Sequence, residues 1–331
     1  MDSTANDVNV SWRTVTVLTL LAILPYLNAL VADFTFDDIF VIRDNPAVTH
    51  GIDAVGIFAS PLPPTNSVYR PFTVLTYALN EWLTPGYAPT FHAVNVVLHA
   101  AVTVLVFWMG FRLFQSARVA VIAAVLFALH PIHTEAVTSI VGRAELLAAL
   151  FGLIALLTAA GIDQAVSAHS RWGLEGVAVT SFALALLSKE SAVTLLPLIL
   201  LFRIACRKER LLPGLATELR SLTWVPFALC TALFVLTHYQ VVVVAPGNGM
   251  SPLDNALGFV PWAVRVRSAL AVMWDYFGQD VDTLPDSHMH QAVQKLHDEG
   301  IKTIDVTMDW WRSHQGIDKQ NEELAKLVTH R

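Results

Sequence analysis

Charged side chains are scarce in this chain. They make up 15% of its 331 residues, against about 25% in a typical soluble domain. Cysteine is nearly absent. Cys206 and Cys230 are the only two, which excludes a disulfide scaffold and a four-cysteine zinc site. An excess of basic charge is lacking as well. The formal net charge is −6, so no basic surface for a nucleic acid is implied and no such partner is expected. No cleavage pattern follows the first apolar block, which therefore reads as an anchor that stays.

What the chain has instead is long apolar runs. Hydrophobic residues reach 54%, and they come in blocks. A bilayer core takes about 20 mainly apolar residues per helix. Seven blocks qualify or nearly so: Thr14–Val31, Phe91–Phe114, Val119–Leu129, Ala144–Ile162, Trp172–Leu187, Ala192–Phe202 and Leu222–Val244. The third and sixth are short and need flanking residues, tilt or local thinning of the bilayer. An eighth block starts near Val266 and falters after Phe277. The expected class is an all-α polytopic membrane protein of about 7–8 spans. With the N-terminus inside, nine Lys and Arg fall on the cytoplasmic side and four on the other, as the positive-inside rule prefers.

That orientation puts three polar segments on one outer face: residues 32–90, 130–143 and 188–191. The first is a long loop, of the kind that is usually functional. Asn45-Pro46, Pro61 to Pro64 and Tyr69-Arg70-Pro71 punctuate it. Its apolar stretches Ile52–Phe58 and Phe72–Leu83 predict short interfacial helices, with Tyr77 and Trp82 at the headgroup level. Residues 278–331 differ, with ten acids, six bases and no spanning block. Their pattern predicts helices at Ser287–Glu299 and Ile317–Thr329 around a strand Lys302–Val306. The domains are thus expected at 1–277, a membrane module, and 278–331, a small polar tail.

Polar groups are costly in such a chain and mark sites or partners. Asp37 and Asp38 lie between aromatic residues just after the first block. They suit a base with its partner, or a divalent cation, and equally a solvated loop or helix cap. His130 and His133, with Glu135 beside them, suit a phosphate or sugar. Two histidines alone are a weak metal signal, and an interfacial turn starting a helix that runs to Arg143 is the plain alternative. Arg143 with Glu145, and Lys189 with Glu190, are cations on the side where anchoring cations are not expected, which favours anion binding; ion pairing is the other reading. His92, Asn95 and His99 share one helix face and either line a cavity or bond neighbouring helices. Their convergence on one face suggests a charged, lipid-embedded substrate, such as a sugar on a polyprenyl phosphate.

Several blocks together resemble a known family. They are Phe36-Asp37-Asp38-Ile39 with Asp44-Asn45-Pro46, Tyr69-Arg70-Pro71, and Phe91-His92 through Asn95 to His99. His130-Pro131-Ile132-His133-Thr134-Glu135, Gly142-Arg143-Ala144-Glu145 and Leu187-Ser188-Lys189-Glu190 continue the pattern. Their order and spacing resemble the transmembrane and tetratricopeptide-repeat O-mannosyltransferases, within the type C glycosyltransferase fold, over roughly residues 15–277. The resemblance implies a dolichyl- or polyprenyl-phosphate mannose donor and a protein Ser or Thr acceptor. The membrane would be endoplasmic reticulum, or the inner membrane in a bacterium. It implies that the first outer loop supplies the catalytic acid, here Asp37 or Asp38, with Asp38 favoured as the base. Arg143, Lys189, His130 and His133 are the candidates for the leaving phosphate, with Glu190 beside them, and Glu135 orients a histidine or the sugar. His92, Asn95 and His99 line the cavity. Metal ligands are unassigned, and a divalent cation is the one cofactor considered. The family's repeats are not found in 278–331. The alternatives are a catalytically inactive interaction protein or a lipid or solute transporter.

Overall fold

A computed structural model describes residues 12–63 and 68–244, which lie in the first of two units into which the chain divides, Met1–Asn248. The eighth apolar block and the helices and strand expected beyond residue 278 fall outside the described residues. Among the described residues every regular element is helical, apart from one isolated bridge between Leu62 and Val68. The chain is a polytopic all-helical membrane protein.

Helix α1 (Trp12–Ile23) continues as tighter 3-10 turns through Leu24–Val31, where Pro25 opens the second stretch. The long loop then forms α2 (Pro46–Thr49), α3 (Ala54–Ala59) and α4 (Pro71–Leu83). The Asn45 side chain caps α2 by accepting from the Ala47 N–H at 3.0 Å, and Asp53 caps α3 through the Gly56 N–H at 3.0 Å. Asn45-Pro46 is thus a helix start, with proline where no donor is needed. α5 (Ala88–Phe114) ends on Gln115 in the left-handed region at φ +52°. α6 (Ala117–Leu129) stops at His130-Pro131, and α7 (Thr134–Thr138) leaves it at a bend of 50°. α8 (Arg143–Gly161), α9 (Ala168–Ser188), α10 (Leu195–Arg207), α11 (Leu211–Ser221) and α12 (Val225–His238) follow.

Among the described residues, four helical stretches are long and apolar enough to cross a membrane: Trp12–Val31, Ala88–Phe114, Ile140–Gln164 and Val225–Val242. A fifth is the bent pair α6–α7. The other two expected blocks are helical but differ in physics. α9 has 21 residues, yet its first two turns carry His169, Arg171 and Glu175. α10 has 13 residues, about 20 Å at 1.5 Å per residue, short of a core of about 30 Å.

The helices pack through small residues, since lipid supplies no hydrophobic force to drive apolar helices together. α5 contacts α1, α6 and α8, and α8 contacts α9. On α6 the buried stripe is Ala120, Ala124 and Ala128. A Cβ on Gly110 of α5 would lie 3.2 Å from the Ala120 Cα, so the two backbones nearly touch there. Ala155 and Ala159 of α8 join Ala178 and Ala185 of α9 in the largest buried cluster.

Two details depart from the expected pattern. The helix opening at Thr134 ends at Thr138; Ser139 is extended, and the chain re-enters a helix only at Ile140–Arg143. Tyr77 is buried rather than at the headgroup level, and its hydroxyl donates toward the carbonyls of Ile140 and Val141 at 3.2 and 3.3 Å. Trp82 is exposed, as the interfacial reading requires.

Gly142 makes the return possible. A Cβ there would lie 2.4 Å from the Ala136 carbonyl oxygen, and backbone cannot move aside as a side-chain tip can. Gly142→Ala is therefore expected to lower stability by about 1–3 kcal/mol, the usual cost of overpacking. It would be read as a reduced thermal midpoint of the purified protein in detergent.

Candidate functional site

The site is built around the segment that joins α7 to α8. Arg143 opens α8 and is fully buried. Its guanidinium faces no carboxylate in direct contact. Nε donates to the Asn95 side-chain oxygen at 3.1 Å, Nη1 to the Thr76 carbonyl at 3.2 Å, and Nη2 to the Asn80 side-chain oxygen and the Phe91 carbonyl, both at 3.0 Å. The rings of Tyr77 and Phe91 cover it, at 4.8 and 5.4 Å to their centroids. Four of its N–H groups are thereby satisfied by neutral acceptors from α4 and α5. Asn95 in turn donates to the carbonyls of Ser139 and Ile140 at 2.9 and 3.3 Å. Arg143, expected from sequence to meet a donor phosphate, spends these donors on protein acceptors and acts as the pin between α4, α5 and α8.

The pinned segment presents its backbone to the first loop. The Val141 N–H donates to Asp38 Oδ1 at 2.9 Å, and the Thr35 N–H donates to Oδ2 at 3.2 Å. Asp38 is fully buried. Burial pushes its carboxyl above the usual carboxylate range, against those backbone N–H bonds, which pull it down. Asp37 is different: it is exposed and its carboxylate has no partner among the described residues. Successive residues at the start of a helical turn point about 100° apart, so one carboxylate can be buried while its neighbour is exposed; Phe36 before them has a φ of +46°, strained for an aromatic residue, and is 87% exposed. Sequence adjacency hid this difference. Phe34, by contrast, is buried against Phe91 at 5.4 Å.

The remaining charges pair across elements. The Tyr69 N–H donates to Glu190 Oε1 at 3.0 Å, and Arg70 Nε donates to Glu190 Oε2 at 3.0 Å. The Thr73 hydroxyl adds a bond to the Ser188 carbonyl at 2.9 Å. Lys189 pairs with Glu145. The Tyr69-Arg70-Pro71 turn and α4 are therefore stitched to the end of α9. Arg70, Tyr77 and Asn80 were not among the site residues expected from sequence. The signal that could have found Arg70 is a second outer cation in need of an anion.

The histidines form two groups. His92 is buried beside Asp38, near the backbone of Asp33 and Thr138, and neither ring nitrogen has a partner in hydrogen-bonding geometry. His99 is buried, with Nε2 3.3 Å from the Ala128 carbonyl oxygen. It lies 5.6 Å from His133 and edge-on to Tyr26 at 5.1 Å. His133 packs on Phe127 at 4.2 Å between centroids. His130 is exposed, and its Nδ1 accepts from the Ile132 N–H at 3.2 Å, so it caps the turn. Glu135 is exposed at the start of α7. Among the described residues, no three His, Cys, Asp or Glu side chains converge as ligands for one ion. Asp38, His92, Asn95 and Arg143 are thus drawn together; Lys189 and Glu190 pair instead with Glu145 and Arg70 at the end of α9, while His130, His133 and His99 gather at the α6–α7 bend.

Curated relatives match this chain. It is 33% identical over 242 residues to human protein O-mannosyl-transferase TMTC3, covering 69% of this chain and 26% of that protein. It is 34% identical over 263 residues to Drosophila melanogaster protein O-mannosyl-transferase Tmtc2, covering 73% and 26%. Over 142 residues it is 42% identical to human protein O-mannosyl-transferase TMTC1, covering 40% and 16%. The chain is homologous to the TMTC protein O-mannosyl-transferases. It spans about a quarter of the length of the TMTC3 and Tmtc2 relatives. No protein-family model and no solved structure matches it.

Asp38 and Asp37 should separate in a stability measurement. Asp38→Asn turns an amide NH2 toward one of two backbone N–H groups and leaves a buried donor unsatisfied, a cost of about 1–3 kcal/mol. Asp37→Asn is expected to change stability by less than about 0.5 kcal/mol. Thermal unfolding of the two variants in the same detergent checks the contrast.

Proposed function

We propose that this TMTC homologue transfers mannose from a dolichyl- or polyprenyl-phosphate carrier to Ser or Thr hydroxyls of proteins, at the luminal or periplasmic membrane face. The observation that carries the reading is the split carboxylate pair: Asp38 is anchored by two backbone N–H groups, while Asp37 is held out beside it, unpaired and exposed. The names of the relatives support the reaction class.

In this reading Asp37 is the base, and Asp38, favoured on sequence alone, is the residue that positions it. Asp37 accepts the hydroxyl proton of the acceptor as the oxygen attacks the anomeric carbon. The bond from that carbon to the phosphate oxygen breaks, and the electron pair leaves with the lipid phosphate. One displacement inverts the anomeric centre. The leaving anion needs donors that strengthen as charge develops. Lys189 is half-buried and paired with Glu145, and His130 and His133 stand at the α6–α7 bend. These three supply that surface, without Arg143. Glu190 serves by holding Arg70 and the Tyr69 turn. Endoplasmic reticulum, or an inner membrane in a bacterium, is the compartment this chemistry requires of its lipid carrier.

Membranes containing the full chain, given labelled lipid-linked mannose and a Ser/Thr peptide, test the reading. Wild type is expected to label the peptide. Asp37→Asn is expected to lower transfer by about 10²-fold or more, the usual share of a general base, with the thermal midpoint unchanged. Transfer by Asp37→Asn at the wild-type rate would remove the base assignment. Lipid binding without any transfer by wild type would leave a non-catalytic homologue.

A further inference from the structure

The end of the bundle remote from Asp37 carries a second charged cluster that the proposed reaction does not use. α8 runs 19 residues from Arg143, about 28 Å at 1.5 Å per residue, and Asp163 stands just beyond its far end. There Arg203 of α10 is almost wholly buried. Its Nε donates to both carboxylate oxygens of Glu218, at 3.0 and 3.2 Å, and its Nη2 to both of Asp163, each at 3.0 Å. Its Nη1 bonds the Ala159 carbonyl. Arg207 also reaches Asp163, at 2.9 Å.

Glu218 belongs to α11, and this makes α11 unusual. The residues it buries against the protein are Gly214 and Glu218, one without a side chain and one charged. A Cβ on Gly214 would lie 2.7 Å from the Ile204 side chain, so α11 is pressed against α10. At about 100° per residue, Leu211, Leu212, Leu215 and Leu219 share an arc of about 100°. Leu211, Leu212 and Leu219 are exposed, Leu212 at 77%, and Leu222 beyond the helix is exposed too. A helix that buries a carboxylate and exposes its leucines is inside out for water.

We propose that α11 lies in the membrane plane, with its leucine face in the acyl boundary of the leaflet at that end. Two observations name lipid, rather than protein, as the occupant. The helices before and after α11 in the chain also expose apolar residues, Leu198 and Leu201 on α10 and Leu229 and Leu233 on α12, and α12 lies in a stretch able to cross a membrane. The exposed cations Lys208 and Arg210 precede the helix and Arg220 lies in its last turn, as suits the phosphate level of anionic lipids. The clamp from Arg203 to Glu218 and Asp163 then sets the depth and roll of α11 from within the protein. A surface helix of 11 residues would by itself hold its place poorly.

Quenching of a single fluorescent label tests this in full-length protein, reconstituted into vesicles of phosphatidylcholine and phosphatidylglycerol. In a Cys206→Ser, Cys230→Ser background, the label is placed at Leu212→Cys or at Thr217→Cys on the other flank of α11. Brominated acyl chains are expected to quench the Leu212 label several-fold more than the Thr217 label, and aqueous iodide is expected to do the reverse. Equal iodide quenching at both positions would overturn the proposal. Protection of the Leu212 label from both quenchers would overturn it too, and would assign the leucine face to a protein partner or a second copy.

Discussion

A guanidinium buried without a carboxylate is the constraint around which this protein is arranged. Desolvating a cation costs several kcal/mol unless its donors are met, and for Arg143 they are met by oxygens from Thr76, Asn80, Phe91 and Asn95. Those acceptors come from α4 and α5, so the interfacial helix of the first loop cannot drift from the bundle without exposing unpaired N–H groups to a low-dielectric interior. The same contacts hold Ile140 and Val141 against Tyr77. The Val141 N–H can then fix Asp38, while Asp37 beside it is exposed. The chain of dependence runs from the buried Arg143 to the anchored Asp38, beside which Asp37 stays exposed.

The two ends of α8 handle charge in opposite ways. At Arg143 the cation is solvated by neutral dipoles and aromatic faces. At the far end Arg203 is neutralised twice, by Glu218 and Asp163. Asp37 and Glu135 are exposed on the Arg143 side. Ionic pairing at the far end suits anchoring, since a buried pair loses most when one partner is pulled away. Between the ends, close contact falls to small residues such as Gly110 against Ala120. This is how apolar helices gain contact where burial from water gives nothing.

The apolar blocks, the loop between the first two and the polar clusters were legible in the amino-acid order, because hydropathy and spacing are local properties. So was the homology, carried by short blocks such as His130 to Glu135. Residue-level roles were less so. Asp37 and Asp38 are identical in type and adjacent, and the bond that ties Asp38 to the rest of the bundle comes from the Val141 N–H, 103 positions away. Arg143 read as an anion ligand, because nothing nearby in sequence reveals four neutral acceptors drawn from positions 76 to 95. The α6–α7 bend was visible as His130-Pro131, but the early stop at Thr138 depends on room that Gly142 alone allows.

Sequence alone therefore determined that this is a helical membrane protein with its scarce charges gathered near helix ends, since the bilayer penalises charge anywhere else. Tertiary structure decided which of those charges are spent on the fold and which stay free. Burial and pairing are set by elements far apart in the chain: Arg70 meets Glu190, Lys189 meets Glu145, and Arg203 meets Glu218 and Asp163. Asp37 is exposed where its neighbour Asp38 is buried.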